Sequence, residues 1–195
     1  MGKCLNEAAK KRGHRVTWVQ CPQDAQTAQR LEKKLQALLP KHDAFLMAAA
    51  VADVRPAGFS KHKIKKNELK KIQLVRNPDI LAALSKKKKK NQIFIGFALE
   101  SRDMLSNGLK KLQEKKLEAI VLQKVTESDK PFGDKQISAL IFENSGDFTG
   151  FKSISKQKLA QFLIKKTERF LLAKNKVFVK LRGYKSKRSS QSYAH

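Results

Sequence analysis

The chain has 195 residues, is 41% hydrophobic and carries a formal net charge of +26. That length and apolar content suit one domain with a sizeable core and exclude wholesale disorder. Of 43 basic residues 34 are Lys and only 9 are Arg, spread over predicted helix surfaces and loops without interleaved aromatics, so specific nucleic-acid readout is not expected.

Leu5, Ala8 and Ala9 give Met1 to Arg12 one apolar helical face, and Gly13 suits a left-handed stop just beyond it. Val16-Thr17-Trp18-Val19 reads as a short strand closed by Cys21-Pro22. Thr27 to Leu39 is helical by the spacing of Ala28, Leu31, Leu35, Leu38 and Leu39, and Pro40 ends it. Phe45 to Ala52 is an apolar run that stops at Asp53, Arg55 and Pro56, as a central parallel strand does when it delivers a functional loop. A lysine-rich loop follows from Arg55 to Lys71, then a strand from Ile72 to Val75. Asn77-Pro78-Asp79 reads as a helix start, with Asn77 as cap and Pro78 in the first turn. The Lys86 to Lys90 run is that helix's solvated end.

Ile93 to Phe97 is a buried strand leading to Glu100. Met104 to Lys116 is a helix with Leu105, Leu109 and Leu112 inward and Lys111 and Lys115 one turn apart elsewhere. Ala119 to Leu122 and Ser138 to Phe142 are strands, separated by a loop from Thr126 to Lys135. Gly146 to Lys152 is a last strand or loop, and Lys156 to Leu172 a closing helix with Leu159, Phe162, Leu163 and Phe170 on one face. Residues 173–195 have the composition of a basic, flexible tail, with Val177 to Val179 an edge strand at most. The alternation gives an α/β class: a Rossmann-like three-layer fold, its sheet mostly parallel with helices on both faces. Residues 1–172 form that domain.

No apolar run approaches the ~20 residues that span a bilayer, and the start lacks a signal peptide's layout. Cys4 and Cys21 show neither metal spacing nor a disulfide framework. Both points favour a cytoplasmic protein without a membrane partner.

Open α/β sheets bind ligands at the carboxyl ends of their strands. Asp53 and Arg55 follow one strand, Asn77 to Ile80 another, and Phe97 and Glu100 a third; Lys63, Lys111 and Lys115 can reach the same rim. A carboxylate there accepts ribose hydroxyls or holds Mg²⁺, lysines neutralise phosphates, and an aromatic lines a base pocket. The pattern points to a nucleotide or phosphorylated ligand. Taken singly, each residue also has a plain structural use: Asp53 and Asn77 as caps, Phe97 as core, the lysines as solvated surface.

At these residues the sequence resembles phosphopantothenoylcysteine synthetase, or phosphopantothenate–cysteine ligase, found as the second half of a bifunctional coenzyme A biosynthesis protein in many bacteria. The matching blocks are Met1-Gly2 with Glu7-Ala8-Ala9 and Arg12-Gly13, Ala48 to Asp53 with Arg55-Pro56, Lys63-Ile64-Lys65-Lys66, Leu74 to Ile80, Gly96-Phe97-Ala98 with Glu100, and Lys111 with Lys115. The resemblance implies a two-step ligase: a nucleoside triphosphate activates the carboxylate of 4′-phosphopantothenate, and cysteine's amine then takes the acyl group. It implies Mg²⁺, CTP or ATP as co-substrate with CTP favoured, no flavin, and a homodimer. It makes Asp53 and Lys63 catalytic and nucleotide-binding, and adds Asn77, Pro78, Asp79, Ile80, Phe97, Lys111 and Lys115 as nucleotide-binding; no protein metal ligand is assigned. Family members begin with a strand and a Gly/Ser-rich phosphate loop bearing an asparagine. This chain starts at the Met-Gly that follows them. The resemblance thus allows two further readings, a catalytically incomplete partner subunit or a fragment of the enzyme, while the charge alone allows a basic nucleic-acid binder. Gln123 stands where the family often has Ala-Asn-Asp, and Val54 where it often has tyrosine.

Overall fold

Apolar spacing decides the first element. In the computed structural model α1 spans Gly2–Lys11 and buries Leu5, Ala8 and Ala9. Gly13 takes φ +84°, and the N–H groups of Arg12, Gly13 and His14 close back on Ala9 and Lys10, which satisfies the helix's last carbonyls. The structure describes residues 1–58, 60, 62–65, 71–100, 103–124 and 135–186, the side chains of 124 and 176–186 excepted. The loop expected from Thr126 to Lys135 therefore lies, apart from Lys135, outside the described residues.

α2 is Ala28–Leu38, capped by the Thr27 hydroxyl, which accepts from the Arg30 N–H at 3.2 Å. One five-stranded sheet follows, in the order β1 (Ala44–Met47), β4 (Ile93–Glu100), β5 (Ala119–Lys124), β6 (Ile137–Glu143), β7 (Phe148–Ile154). β1, β4 and β5 are parallel, and β6 and β7 close the sheet as an antiparallel hairpin. A separate antiparallel ribbon joins β2 (Val54–Pro56) to β3 (Leu74–Arg76). α3 (Ile80–Lys86), α4 (Met104–Glu114), α5 (Lys156–Ser186) and a short 3-10 turn at Leu39–Lys41 complete the described elements.

The strands' alternation sorts the core into two halves. Ile93, Ile95, Ala119, Val121 and Ile141 face α1 and α5, meeting Leu5, Leu159 and Leu163. Phe94, Ala98, Ile120 and Leu122 face α2, α3 and α4, meeting Leu31, Leu84 and Leu112. The result is the three-layer arrangement expected. Glu118 adds a polar tie below the sheet: its carboxylate accepts from Lys88 at 2.6 Å, Lys174 at 2.5 Å and the Phe94 N–H at 2.6 Å, fastening α5 to β4.

Several elements differ from their sequence expectation. The Phe45 to Ala52 run is not a central strand. Only Ala44–Met47 pairs, on one side, and every residue of β1 is half-buried. Val16 to Val19, expected as a strand, belongs to no sheet. α3 begins at Ile80, and its cap is Asp79, whose Oδ1 accepts from the Ala82 N–H at 3.0 Å; Asn77 is occupied elsewhere. In α4 the inward residues are Gly108 and Leu112, while Leu105 and Leu109 are exposed. Gly108 brings that helix's backbone against Leu122 of β5, which turns the two leucines outward. α5 continues as helix through Val177 to Val179, where a flexible tail with an edge strand at most was expected.

Candidate active site at the strand ends

Asn77 organises the rim. Its backbone N–H donates to the Asp53 carbonyl at 2.8 Å, and its side-chain amide donates to the Ala52 carbonyl at 2.8 Å. Its amide oxygen accepts from Arg55 at 3.0 Å, and Arg55 also donates to the Arg76 carbonyl at 2.8 Å. These bonds hold the Ala52–Val54 turn against the end of β3. Gln29 of α2, with its amide oxygen turned to Arg55, accepts from the same guanidinium at 2.8 Å. The nucleotide-binding role expected of Asn77 therefore meets a side chain already engaged as a strut. Neither the Arg55–Asn77 clasp nor Gln29 was legible beforehand; the only signal was Arg55 standing two residues beyond Asp53.

The clasp leaves the Asp53 carboxylate outside. It is exposed, and its side chain makes no hydrogen bond or ion pair among the described residues. Lys63 is exposed on the next loop and is likewise without a described partner; no ion pair joins the two. Lys66, the end of the Lys63-Ile64-Lys65-Lys66 block, lies outside the described residues.

The α4 lysines are placed as a pair but are not bare. Lys115 lies 2.8 Å from the Asp79 carboxylate, and Lys111 lies 2.5 Å from Glu100. Partial burial works to raise the Asp79 pKa. Hydrogen bonds from Lys115 and the Ala82 N–H, with the fields of Lys115 and Lys111, outweigh it and hold the carboxyl below its ordinary value. Two carboxylates thus neutralise the very cations expected to face phosphates. An incoming polyanion would compete for them, an exchange of one salt bridge for another at a partly solvated site. Ile80 is 2% exposed and forms core, and Pro78 is half-buried beside it. Phe97 is half-buried and packs with the α1/α5 half of the core. It sits on the opposite face of the sheet from Asp79, Lys111 and Lys115, whose helices pack on the α2–α4 side. The structure therefore gathers Asp53, Asn77, Asp79, Lys111 and Lys115 around one set of strand ends, and it separates Phe97 and Ile80 from them.

Gly96 explains how α3 comes so close. A Cβ there would lie 2.8 Å from a methyl of Leu117, in the turn after α4, and 3.1 Å from a methyl of Leu81 on α3, so glycine lets both leucines close over β4 as they are placed.

A second feature was missed altogether: a cavity of about 930 Å³ beside β1. Its walls are α1 and residues 14–21 after it, β1 and its continuation to Ala50, and parts of α2 and α5.

The family model for the DNA/pantothenate metabolism flavoprotein C-terminal domain matches residues 1–171. The chain belongs to that family. Among curated relatives it is 32% identical over 179 residues to a cysteine/cysteine sulfinic acid decarboxylase from an unidentified prokaryote, with 85% of this chain and 50% of that protein covered. It is 31% identical over 179 residues to the coenzyme A biosynthesis bifunctional protein CoaBC of Borreliella burgdorferi, covering 85% of this chain and 45% of the relative. The chain thus spans about half the length of the curated relatives it matches. Among solved structures, the C-terminal domain of CoaBC superposes with a TM-score of 0.68 at 24% identity, over 87% of this chain and 81% of that one. A Cab2 mutant in complex with phosphopantothenate-cysteine superposes at 0.59 and 15% identity, over 76% and 53%. These likenesses establish the Rossmann-like fold.

Proposed function

We propose that the chain acts in coenzyme A biosynthesis as the nucleotide-dependent ligase joining 4′-phosphopantothenate to cysteine. The observation that carries this reading is the family match across residues 1–171, which includes the whole described rim. The relatives' names point to coenzyme A and to a phosphopantothenate-cysteine ligand.

In the first step a carboxylate oxygen of phosphopantothenate attacks the α-phosphorus of the triphosphate. The bond to the β-phosphate oxygen breaks and pyrophosphate leaves. In the second, the cysteine amine attacks the acyl carbon; the acyl–oxygen bond breaks, the nucleoside monophosphate departs and the amine proton passes to solvent. Lys63, an exposed cation on the loop next to Asp53, stabilises the negative charge that develops in both steps. Lys111 and Lys115 turn from Glu100 and Asp79 to the phosphates. Asp53 takes the ribose hydroxyls or a Mg²⁺ ion. A single open carboxylate fits Mg²⁺, which takes one or two carboxylates and completes its shell with phosphate oxygens and water. Among the described residues no cluster of three metal-binding side chains competes with that arrangement. Bound there, Mg²⁺ would offset triphosphate charge. The co-substrate is CTP in preference to ATP, on the likeness to the bacterial bifunctional proteins. Asn77 and Pro78 shape the edge of the nucleotide site, with Asn77 acting through the Ala52–Val54 turn.

Exposed Val54, Ile72 and Leu74 on and beside the ribbon support a homodimer. Among the described residues no helix is long and apolar enough to cross a membrane, and a cytoplasmic location accords with a metabolic ligase. The decisive experiment incubates the chain with CTP or ATP, Mg²⁺, 4′-phosphopantothenate and cysteine, and follows pyrophosphate release and the amide product by mass spectrometry. Product that disappears in Lys63→Gln and Asp53→Asn supports the reading; undiminished turnover by those variants refutes the site. A second reading, a chain that is catalytically incomplete without a further segment, is favoured by the open flank of β1, and pyrophosphate release without amide formation would identify it.

A further inference from the structure

The unbroken lysine run Lys86 to Lys90 takes no part in the candidate active site. It forms the turn between α3 and β4, at the end of the sheet where β1 and β4 begin; Asp53 and Glu100 stand at the other end, past the point where those strands finish. Hydrogen bonds fix the turn between its neighbours. The Lys89 amine donates to the Pro40 carbonyl at 3.2 Å, just before β1, and the Lys88 amine to the Lys116 carbonyl at 2.7 Å, just before β5. The Lys87 amine donates to the Gln36 side chain of α2 at 2.7 Å. Lys41, next to Pro40, extends the row to the start of β1.

The charge on this face is unanswered. Lys41, Lys86, Lys87, Lys89 and Lys90 are all exposed, and none forms an ion pair with a described residue; the oxygens that hold Lys87 and Lys89 are neutral. Other lysines are answered: Lys34 pairs with Asp24, Lys111 with Glu100 and Lys115 with Asp79. Within residues 39–43, 86–92 and 115–118 the carboxylates are Asp43 and Glu118, and Glu118 is already taken by Lys88 and Lys174. Like charges fixed on neighbouring residues repel one another, and a bound polyanion relieves that repulsion. Two absences select the polyanion. Those same residues expose no large aliphatic side chain, so the face has nothing to bury in a bilayer. They expose no aromatic ring either, and single strands are held by stacking bases on such rings. What remains is contact of point charges with a regular phosphate backbone, which needs neither arginine forks nor rings. A duplex supplies that backbone at one charge per ~1.7 Å of its axis.

We infer that this face is a docking surface for double-stranded nucleic acid: Lys41 and the Lys86 to Lys90 turn bind the phosphates of a duplex, without regard to base sequence, at the pole of the domain opposite the candidate active site. The lysine bias that argues against base readout suits contact of this kind, because phosphate contacts position a protein on a duplex and carry no sequence information. The inference does not rest on the ligase reading.

The test is fluorescence anisotropy of a labelled RNA duplex of about 20 base pairs, and of a DNA duplex of the same sequence, titrated with the full chain from about 50 to 200 mM salt. Affinity should fall steeply with salt and be the same for a duplex of scrambled sequence. Whichever duplex binds more tightly identifies the source of the phosphates. Lys86 and Lys90 make no described hydrogen bond, so Lys86→Glu with Lys90→Glu removes charge from the face without loosening the turn. This variant should bind at least ten-fold more weakly. Its slope of log affinity against log salt should be shallower by about 2, at ~0.9 per lysine removed. Lys33→Glu with Lys152→Glu reaches the same net charge from exposed positions on α2 and β7, and should lose less than about three-fold. Lys86→Arg with Lys90→Arg should bind as the wild type does. Melting temperatures check that each variant is folded. Equal losses in the two glutamate variants would make the effect one of net charge alone and overturn the inference. So would no duplex binding at the lowest salt, tighter binding to a single strand of the same length, or tighter binding to vesicles rich in phosphatidylserine. The readout is binding, so it succeeds or fails independently of amide synthesis.

Discussion

Gly108→Ala should destabilise this protein, although glycine-to-alanine changes inside helices ordinarily stabilise by about 1 kcal/mol. Gly108 is buried in α4, and an alanine Cβ would lie 2.9 Å from Leu122 Cδ2 and 3.1 Å from Cγ, closer still to Cδ1. Ordinary contact begins near 3.4 Å, so Leu122 or the helix must retreat by at least about 0.5 Å. Leu122 is 0% exposed and packed among Leu112, Leu117 and Ile120, so it has nowhere to go. Overpacking of this kind costs ~1–3 kcal/mol. Set against the helix-propensity gain, the net loss is about 1 kcal/mol, or ~2–4 °C in melting temperature for a domain of this size. Urea unfolding at equilibrium measures it. The double variant Gly108→Ala, Leu122→Val makes room for the new methyl group, so its loss should be smaller than the sum of the two single losses. A midpoint raised by Gly108→Ala, or strict additivity in the cycle, would refute the close-packing account. The same retreat moves Lys111 and Lys115, so nucleotide affinity should fall in step with stability.

Three further outcomes follow from the geometry. The Glu168 carboxyl is held down to about 2 from 4.5, first by the Arg12 hydrogen bond and then by His14 and the charge of both, against some opposing burial. Its stabilisation is therefore complete above pH ~4.5 and lost as pH falls toward 2; solvent access to the pair limits it to about 1 kcal/mol, and Glu168→Gln should flatten that part of a stability–pH curve. Asn77→Ala removes the strut to Ala52 and the acceptor for Arg55, which should cost ~1–2 kcal/mol and quicken amide exchange at Val54 and Arg55; unchanged exchange there would show that the ribbon is held by other means. Lys115→Met should raise the Asp79 pKa toward its ordinary value, read by carboxyl NMR titration, and weaken nucleotide binding, with less than about 1 kcal/mol lost in stability.

Helix positions were well legible because burial on a helix repeats with a short period. Leu5, Ala8 and Ala9, or Leu31 and Leu35, state their inward face without reference to the rest of the chain. Gly108 shows the limit of that logic. Leu105 and Leu109 share the spacing of an inward face, but a glycine contact across to β5 outweighed it. The rim was legible as a set of polar residues following apolar runs. Its internal wiring was not, because Asn77 bonds to Ala52 and Arg55, more than twenty residues away, and Gln29 comes from a different helix.

The stretch from Ala48 to Pro56 separates the two kinds of information. By itself the sequence determined that an apolar segment would end in an exposed Asp53, that the fold would be α/β, and that a second cluster of lysines would stand on α4. Those are statements about local burial preference and helical period. Tertiary structure alone decided that β1 lies at an edge, that Phe97 faces away from Asp79 and the α4 lysines, and that Lys111 and Lys115 are already paired. Such facts depend on which strand lies beside which, a relation between distant segments that no local pattern encodes. The open edge beside Ala44–Met47 belongs to the same class, for it appears only when residues 15–19 are brought to face it.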